Sequence, residues 1–172
     1  DDTLRITSID KDTQAMQTFG TSVFGMGEGW DIRFINLLEE MDMPGEFYID
    51  RTNNILYYYP VYGLDDISLL CTDEPIMKLS GADNITFSGI TFSGSRGEGI
   101  ILENEANNNS FIGCEFKNIG GKVMRIENSR ENLISGCHIH DVGKGGIKIT
   151  AGGSYKKELI SCNNRIENSL IE

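Results

Sequence analysis

The chain carries two histidines, His138 and His140, and both fall within three residues of Asp141 in the stretch CHIHDVGKGG. An imidazole beside a carboxylate is a usable general acid or base near neutral pH, where small shifts move its charge. On a strand, His138 points outward between inward-facing Cys137 and Ile139, while His140 and Asp141 open a glycine-rich turn from Val142 to Gly146. Asp at the head of a turn also serves its own backbone by accepting nearby amide hydrogens. The cluster therefore reads either as catalytic or sugar-binding, or as a turn former.

A second set of candidates is Glu103 and Glu127, which end ILE and RIE segments at the same step of an internal repeat. If those segments lie side by side in a parallel sheet, strands about 4.8 Å apart bring the two carboxylates close enough to perturb each other. A retaining glycosidase needs two carboxyl groups about 5–5.5 Å apart, one protonated as acid and one ionised as nucleophile. Arg125 and Lys148 stand in the adjacent row, as substrate-binding cations or simply as neutralisers of a solvated row of acids. Ser154 and Tyr155, in a long segment over 150–162, are further substrate-binding candidates, since long loops on a regular scaffold are where function tends to sit.

The elements that would position these groups come from a repeat. Segments around Gly89, Gly113 and Gly136 superimpose at offsets of 24 and 23, and a fourth copy around Asn168 follows after 32. Each has an apolar residue two before the bend (Phe87, Phe111, Ile134, Ile166) and mostly apolar residues one and three after it. Period two on both sides of a bend describes two short strands with a kink between them. A second ladder, Met77-Lys78-Leu79, Ile100-Ile101-Leu102, Met124-Arg125-Ile126 and Ile147-Lys148-Ile149, runs in phase, outer members inward and middle members outward. Three short strands per coil of about two dozen residues predict an all-β fold, a right-handed parallel β-helix of about four coils over 76–172, each coil burying its apolar face on the next. Asn109, Asn132 and Asn164 recur at one turn, where their amides can bond each other and turn backbone. Cys114 and Cys137 share an inward position and are expected to be reduced, buried small hydrophobes, a disulfide being the alternative. The chain stops at Glu172 with its last coil barely begun, and an uncapped apolar strand exposes an edge. The expectation is a truncated β-helix whose partners include the remaining coils of a parent chain.

Residues 1–75 lack the repeat. Apolar spacing over Arg33–Met41 predicts two turns of helix ended by Pro44-Gly45, and Glu46–Asp50 with Ile55–Tyr59 predicts an aromatic β-hairpin through Thr52-Asn53-Asn54.

The stretch NLLEEMDMPGEFYIDRTNNILYYYP resembles a segment of large bacterial right-handed parallel β-helix proteins of the glycoside hydrolase type, and CHIHDVGKGGIKITAGGSYKKEL with NNRIENS resembles coils of the same proteins. The resemblance covers roughly half the chain. It implies a secreted carbohydrate-active protein, extracellular or periplasmic, with a polysaccharide or oligosaccharide as partner. One departure stands out: such relatives commonly place an acid after the Gly-Gly pair, where this chain has Ser154.

Composition narrows the field further. A net charge of -11 disfavours nucleic acid and anionic membrane surfaces, which bind through clustered Lys and Arg. No apolar run approaches the roughly 18 residues of a membrane span, and a secretion signal is expected upstream of Asp1. The four cysteines form no CxxC pair and no zinc-type His spacing, and the glycine run lacks a phosphate-loop GxxxxGK[ST], so neither a metal nor another cofactor is read from linear spacing. The leading expectation is a glycoside hydrolase. A polysaccharide lyase using Lys148 or Arg125 on a uronate polymer, and a non-enzymatic adhesin or stalk, remain the alternatives.

Overall fold

The computed structural model describes residues 3–22, 25, 27–29, 31–63, 67–150 and 161–172. The chain divides into two compact units, Asp1–Ser68 and Leu69–Glu172.

In the first unit, β1 (Arg5–Asp10) and β2 (Ala15–Phe19) form an antiparallel pair, as do β3 (Phe47–Asp50) and β4 (Ile55–Tyr58). The aromatic hairpin is present, with Tyr48 facing Tyr57 across it at 6.0 Å between ring centroids. Asp50 closes its turn by accepting the amide hydrogens of Thr52 and Asn53. The expected two-turn helix over Arg33–Met41 is not formed; only Leu38–Glu40 makes a single 3₁₀ turn. The reason lies at Asn36, which adopts a left-handed backbone (φ 60°) that interrupts a helix. Its amide then does a strand's work: Oδ1 accepts the N–H of Ile49 at 2.7 Å, and Nδ2 donates to the Ile49 carbonyl at 3.1 Å.

The second unit is a parallel β-helix. Its first coil holds β5 (Met77–Ser80), β6 (Thr86–Ser88) and β7 (Thr91–Ser95), and its second β8 (Ile100–Glu103), β9 (Ser110–Ile112) and β10 (Glu115–Ile119). The third holds β11 (Met124–Glu127), β12 (Leu133–Ser135) and β13 (His138–Ile139), and the fourth β14 (Ile147–Thr150), β15 (Arg165–Glu167) and β16 (Leu170–Ile171). Equivalent strands pair in parallel into three four-stranded sheets. Met77, Ile100, Met124 and Ile147 are register partners down one sheet, as the ladder predicted. From Met77 to Ile147 the chain completes about three full turns rather than four, because the fourth set of strands opens a coil without closing it.

Period two translates directly into packing. Ile100, Leu102, Met124, Ile126, Phe111, Ile134, Phe116 and Ile139 are fully buried. Phe87 stacks on Phe111 and Phe92 on Phe116, at 4.9 and 5.1 Å. Cys114 and Cys137 are free thiols, each 2% exposed, in one inward ladder; burial pushes the Cys137 thiol pKa up. The bend between the second and third strands of each coil needs a positive φ, met by Gly89, Gly113, Gly136 and, in the last coil, Asn168.

The asparagine ladder seals one corner. Oδ1 of Asn109, Asn132 and Asn164 accepts the backbone N–H of Ile85, Asn109 and Asn132, each one coil earlier, at 2.9–3.0 Å. Their Nδ2 groups donate to the carbonyls of Ala82, Ala106 and Ser129. A buried turn backbone is thereby satisfied at every step, which is what makes a turn at the edge of the core tolerable. Gly143 is likewise structural: a Cβ there would stand 2.3 Å from the Gly120 carbonyl oxygen. No helix among the described residues is long and apolar enough to cross a membrane.

Candidate functional site

Parallel stacking puts residues 23 or 24 apart in sequence side by side, and two outer faces carry the residues singled out above. On the sheet of β5, β8, β11 and β14, the middle positions Lys78, Ile101, Arg125 and Lys148 are register partners. Glu103 and Glu127 occupy the next row, opposite Ser80 and Thr150 respectively. Neither glutamate is left to act on the other. Lys78 Nζ binds Glu103 at 2.8 Å, while Arg125 reaches Glu98 at 2.8 Å through Nε and Glu127 at 2.6 Å through Nη1. Glu98, absent from the sequence-derived candidates, raises the Arg125 pKa further by hydrogen bonding and charge. Ile101 lies under these arches, 7% exposed although it is a middle-row residue. Lys148 is exposed. On this face Lys78 and Arg125 are closed into ion pairs, the arrangement in which Arg125 neutralises acids, while Lys148 is open.

The sheet of β7, β10, β13 and β16 is different. His138 lies on β13, with His140 and Asp141 just beyond it, and Glu115 on β10 is the register partner of His138. The two imidazoles stack at 4.3 Å. His140 faces a carboxylate at each nitrogen: Nδ1 lies 2.8 Å from Asp141 Oδ2 and Nε2 3.2 Å from Glu115 Oε1. Both raise its pKa above the ordinary 6.5, Asp141 more than Glu115. The other oxygen of Glu115 accepts from Thr91 at 2.9 Å and binds Lys117 at 3.0 Å. Lys117, then His140 and Thr91, hold the Glu115 carboxyl down from 4.5 to about 2. His138 Nε2 meets Glu172 Oε1 at 3.1 Å.

Asp141 has a second duty. It adopts a left-handed backbone (φ 53°) at the corner where preceding coils place Gly94 and Asn118. Its backbone thus makes the corner while its side chain meets the His140 ring. The structure brings His138, His140 and Asp141 together with Glu115, and sets Glu103, Glu127, Arg125 and Lys148 on another sheet. Ser154 and Tyr155 lie outside the described residues, as does the rest of 151–160 in the long segment over 150–162. Glu115 was missed from sequence because it lies 25 residues from His140. The signal was present: it stands 23 before His138, the same step that links Cys114 to Cys137.

Residues 66–171 match the family model of the right-handed β-helix region. That span is well over half the chain, so this protein belongs to that family, and the stacked sheets described above are its fold. Neither the curated proteins nor the solved structures contain a significant match. The family occurs both in polysaccharide-active enzymes and in proteins with no enzymatic role.

Proposed function

We propose that the β7-β10-β13-β16 face binds and hydrolyses a polysaccharide, with His140 as general acid and Glu115 as the ionised carboxylate. The observation that carries this reading is the opposed electrostatics of two groups in hydrogen-bond contact. His140 is tuned toward the protonated form, by Asp141 first, and Glu115 toward the charged form, by Lys117 first, which sets a proton donor beside a fixed negative charge. A carboxyl group near 2 is too weak a base to take a proton in the transition state. Glu115 therefore suits the other carboxylate role in glycoside cleavage, staying ionised to stabilise or capture the cationic sugar. Asp141 orients the His140 ring through Nδ1, and Nε2–H, which meets Glu115 Oε1 at 3.2 Å, would turn from that carboxylate to protonate the departing glycosidic oxygen. An extracellular or periplasmic location follows from such a substrate.

The lyase alternative draws on Lys148 or Arg125 as base or uronate clamp; the Arg125 guanidinium is already held by Glu98 and Glu127, which leaves that reading to the exposed Lys148. A plain stalk gives no reason for two stacked imidazoles ringed by three carboxylates.

The test is Asp141→Asn. Asn118 occupies the same left-handed corner one coil earlier, so the substitution should leave the melting temperature unchanged. Loss of the His-orienting carboxylate should cut hydrolysis of the protein's polysaccharide by roughly 10²–10⁴-fold. Wild-type turnover in a normally folded variant removes Asp141 from the mechanism.

A further inference from the structure

The same face gathers donors of another kind. Glu115, His138 and His140 each offer one nitrogen or oxygen, and these atoms all lie within 4.8 Å of one another. We propose that the three residues hold a divalent transition-metal ion, Zn²⁺ by the chemistry of the donors, with the fourth position open to water or substrate. Two imidazoles and one carboxylate are a borderline nitrogen and oxygen set that suits Zn²⁺, whereas Ca²⁺ and Mg²⁺ are held by oxygen alone.

Three features of the geometry support it. First, Asp141 holds Nδ1 of His140 at 2.8 Å, the outer-shell carboxylate that metal-bound histidines recruit to fix the ring and direct the other nitrogen. Second, Thr91 and Lys117 occupy Oε2 of Glu115, which leaves Oε1 for the ion and sets the opposing lysine charge on the far oxygen. Third, Glu115 and His138 are register partners on parallel strands, so backbone hydrogen bonds set the spacing of the ligands rather than a loop.

Ligand atoms around a tetrahedral zinc sit about 3.3 Å apart. His140 Nε2 and Glu115 Oε1 already meet that at 3.2 Å. His138 must swing inward and release Glu172, a contact at 3.1 Å between side chains 44% and 60% exposed, where rotation is open. Zinc on His140 Nε2 displaces the proton there, so metal occupancy and the acid role exclude each other. The site stands on its donors alone and does not rest on the hydrolase reading.

Titration of the chelator-treated chain with Co²⁺ tests the site without substrate. Visible d–d absorption should saturate at one equivalent per chain, show no thiolate-to-cobalt band, and be displaced by Zn²⁺. The missing thiolate band separates this site from the accessible Cys71 and Cys162. His138→Ala, His140→Ala and Glu115→Gln should each weaken binding about tenfold or more, and Asp141→Asn roughly 10–100-fold through ring orientation. Glu115→Gln keeps size and both rings, so its loss reports ligation rather than folding. Absence of saturable binding, a dominant thiolate band, or wild-type affinity in His138→Ala and His140→Ala would overturn the assignment.

Discussion

The two charged faces of the β-helix are built on the same register and end in different chemistry. On one, Glu98, Glu103 and Glu127 are each paired with Lys78 or Arg125. On the other, Glu115, Asp141 and Glu172 converge on two stacked imidazoles. A partly exposed pair of fixed charges is satisfied and inert, contributing little. A histidine between carboxylates can gain or lose a proton or exchange it for a metal. One outward row of ionisable residues looks much like another in sequence; what separates the faces is the type of cation.

The largest expected effect would break that contrast if it failed. His140→Gln should lower polysaccharide hydrolysis by roughly 10²–10⁴-fold, whereas Glu103→Gln and Glu127→Gln should leave turnover within about threefold, as surface substitutions away from the chemistry do. Equal losses on both faces would return Glu103 and Glu127 to the mechanism. Next in size is Asn132→Ala, which orphans the Asn109 N–H and Ala106 carbonyl in a corner where Asn132 is 1% exposed. Denaturant unfolding should show a loss of about 2–4 kcal/mol, with both faces failing in one transition because they share this frame. Arg125→Met should cost about 1 kcal/mol, the scale of a partly exposed ion pair, and leave hydrolysis intact.

The smallest effect is best read by NMR of the histidine rings in the presence of a chelator. His140, facing Asp141 and Glu115 with Lys117 beyond them and stacked on His138, should titrate above 6.5. Because that pKa is raised in the folded state, its stabilisation is complete below 6.5 and is lost as pH rises through the raised value. Glu115 is lowered to about 2, so its contribution is complete above 4.5 and is lost as pH falls through about 2. This cluster should therefore be firmest between about 4.5 and 6.5. A His140 titration at or below 6.5 would contradict the carboxylate cage.

Apolar period two and the repeat offsets of 23, 24 and 32 were enough to read the inward ladders, the kinks at Gly89, Gly113, Gly136 and Asn168, and the pairing of Met77 with Ile100, Met124 and Ile147. A coil can bury its apolar residues only on its neighbours, so equivalent positions must stack. His138, His140 and Asp141 stood out because they are close in the chain. Tertiary structure alone decided the partners of these groups: it brought Glu115 to His140 and Thr91 to Glu115, gave Arg125 to Glu98 and Glu127, and closed the Glu103 carboxylate onto Lys78. It also turned Arg33–Met41 away from a helix, since Asn36 gains two hydrogen bonds to Ile49 that no local pattern reveals. Periodicity fixes which way a side chain points, because that depends on backbone geometry a few residues long. Which charge it meets depends on side-chain reach across coils, and that exists only once the coils are stacked.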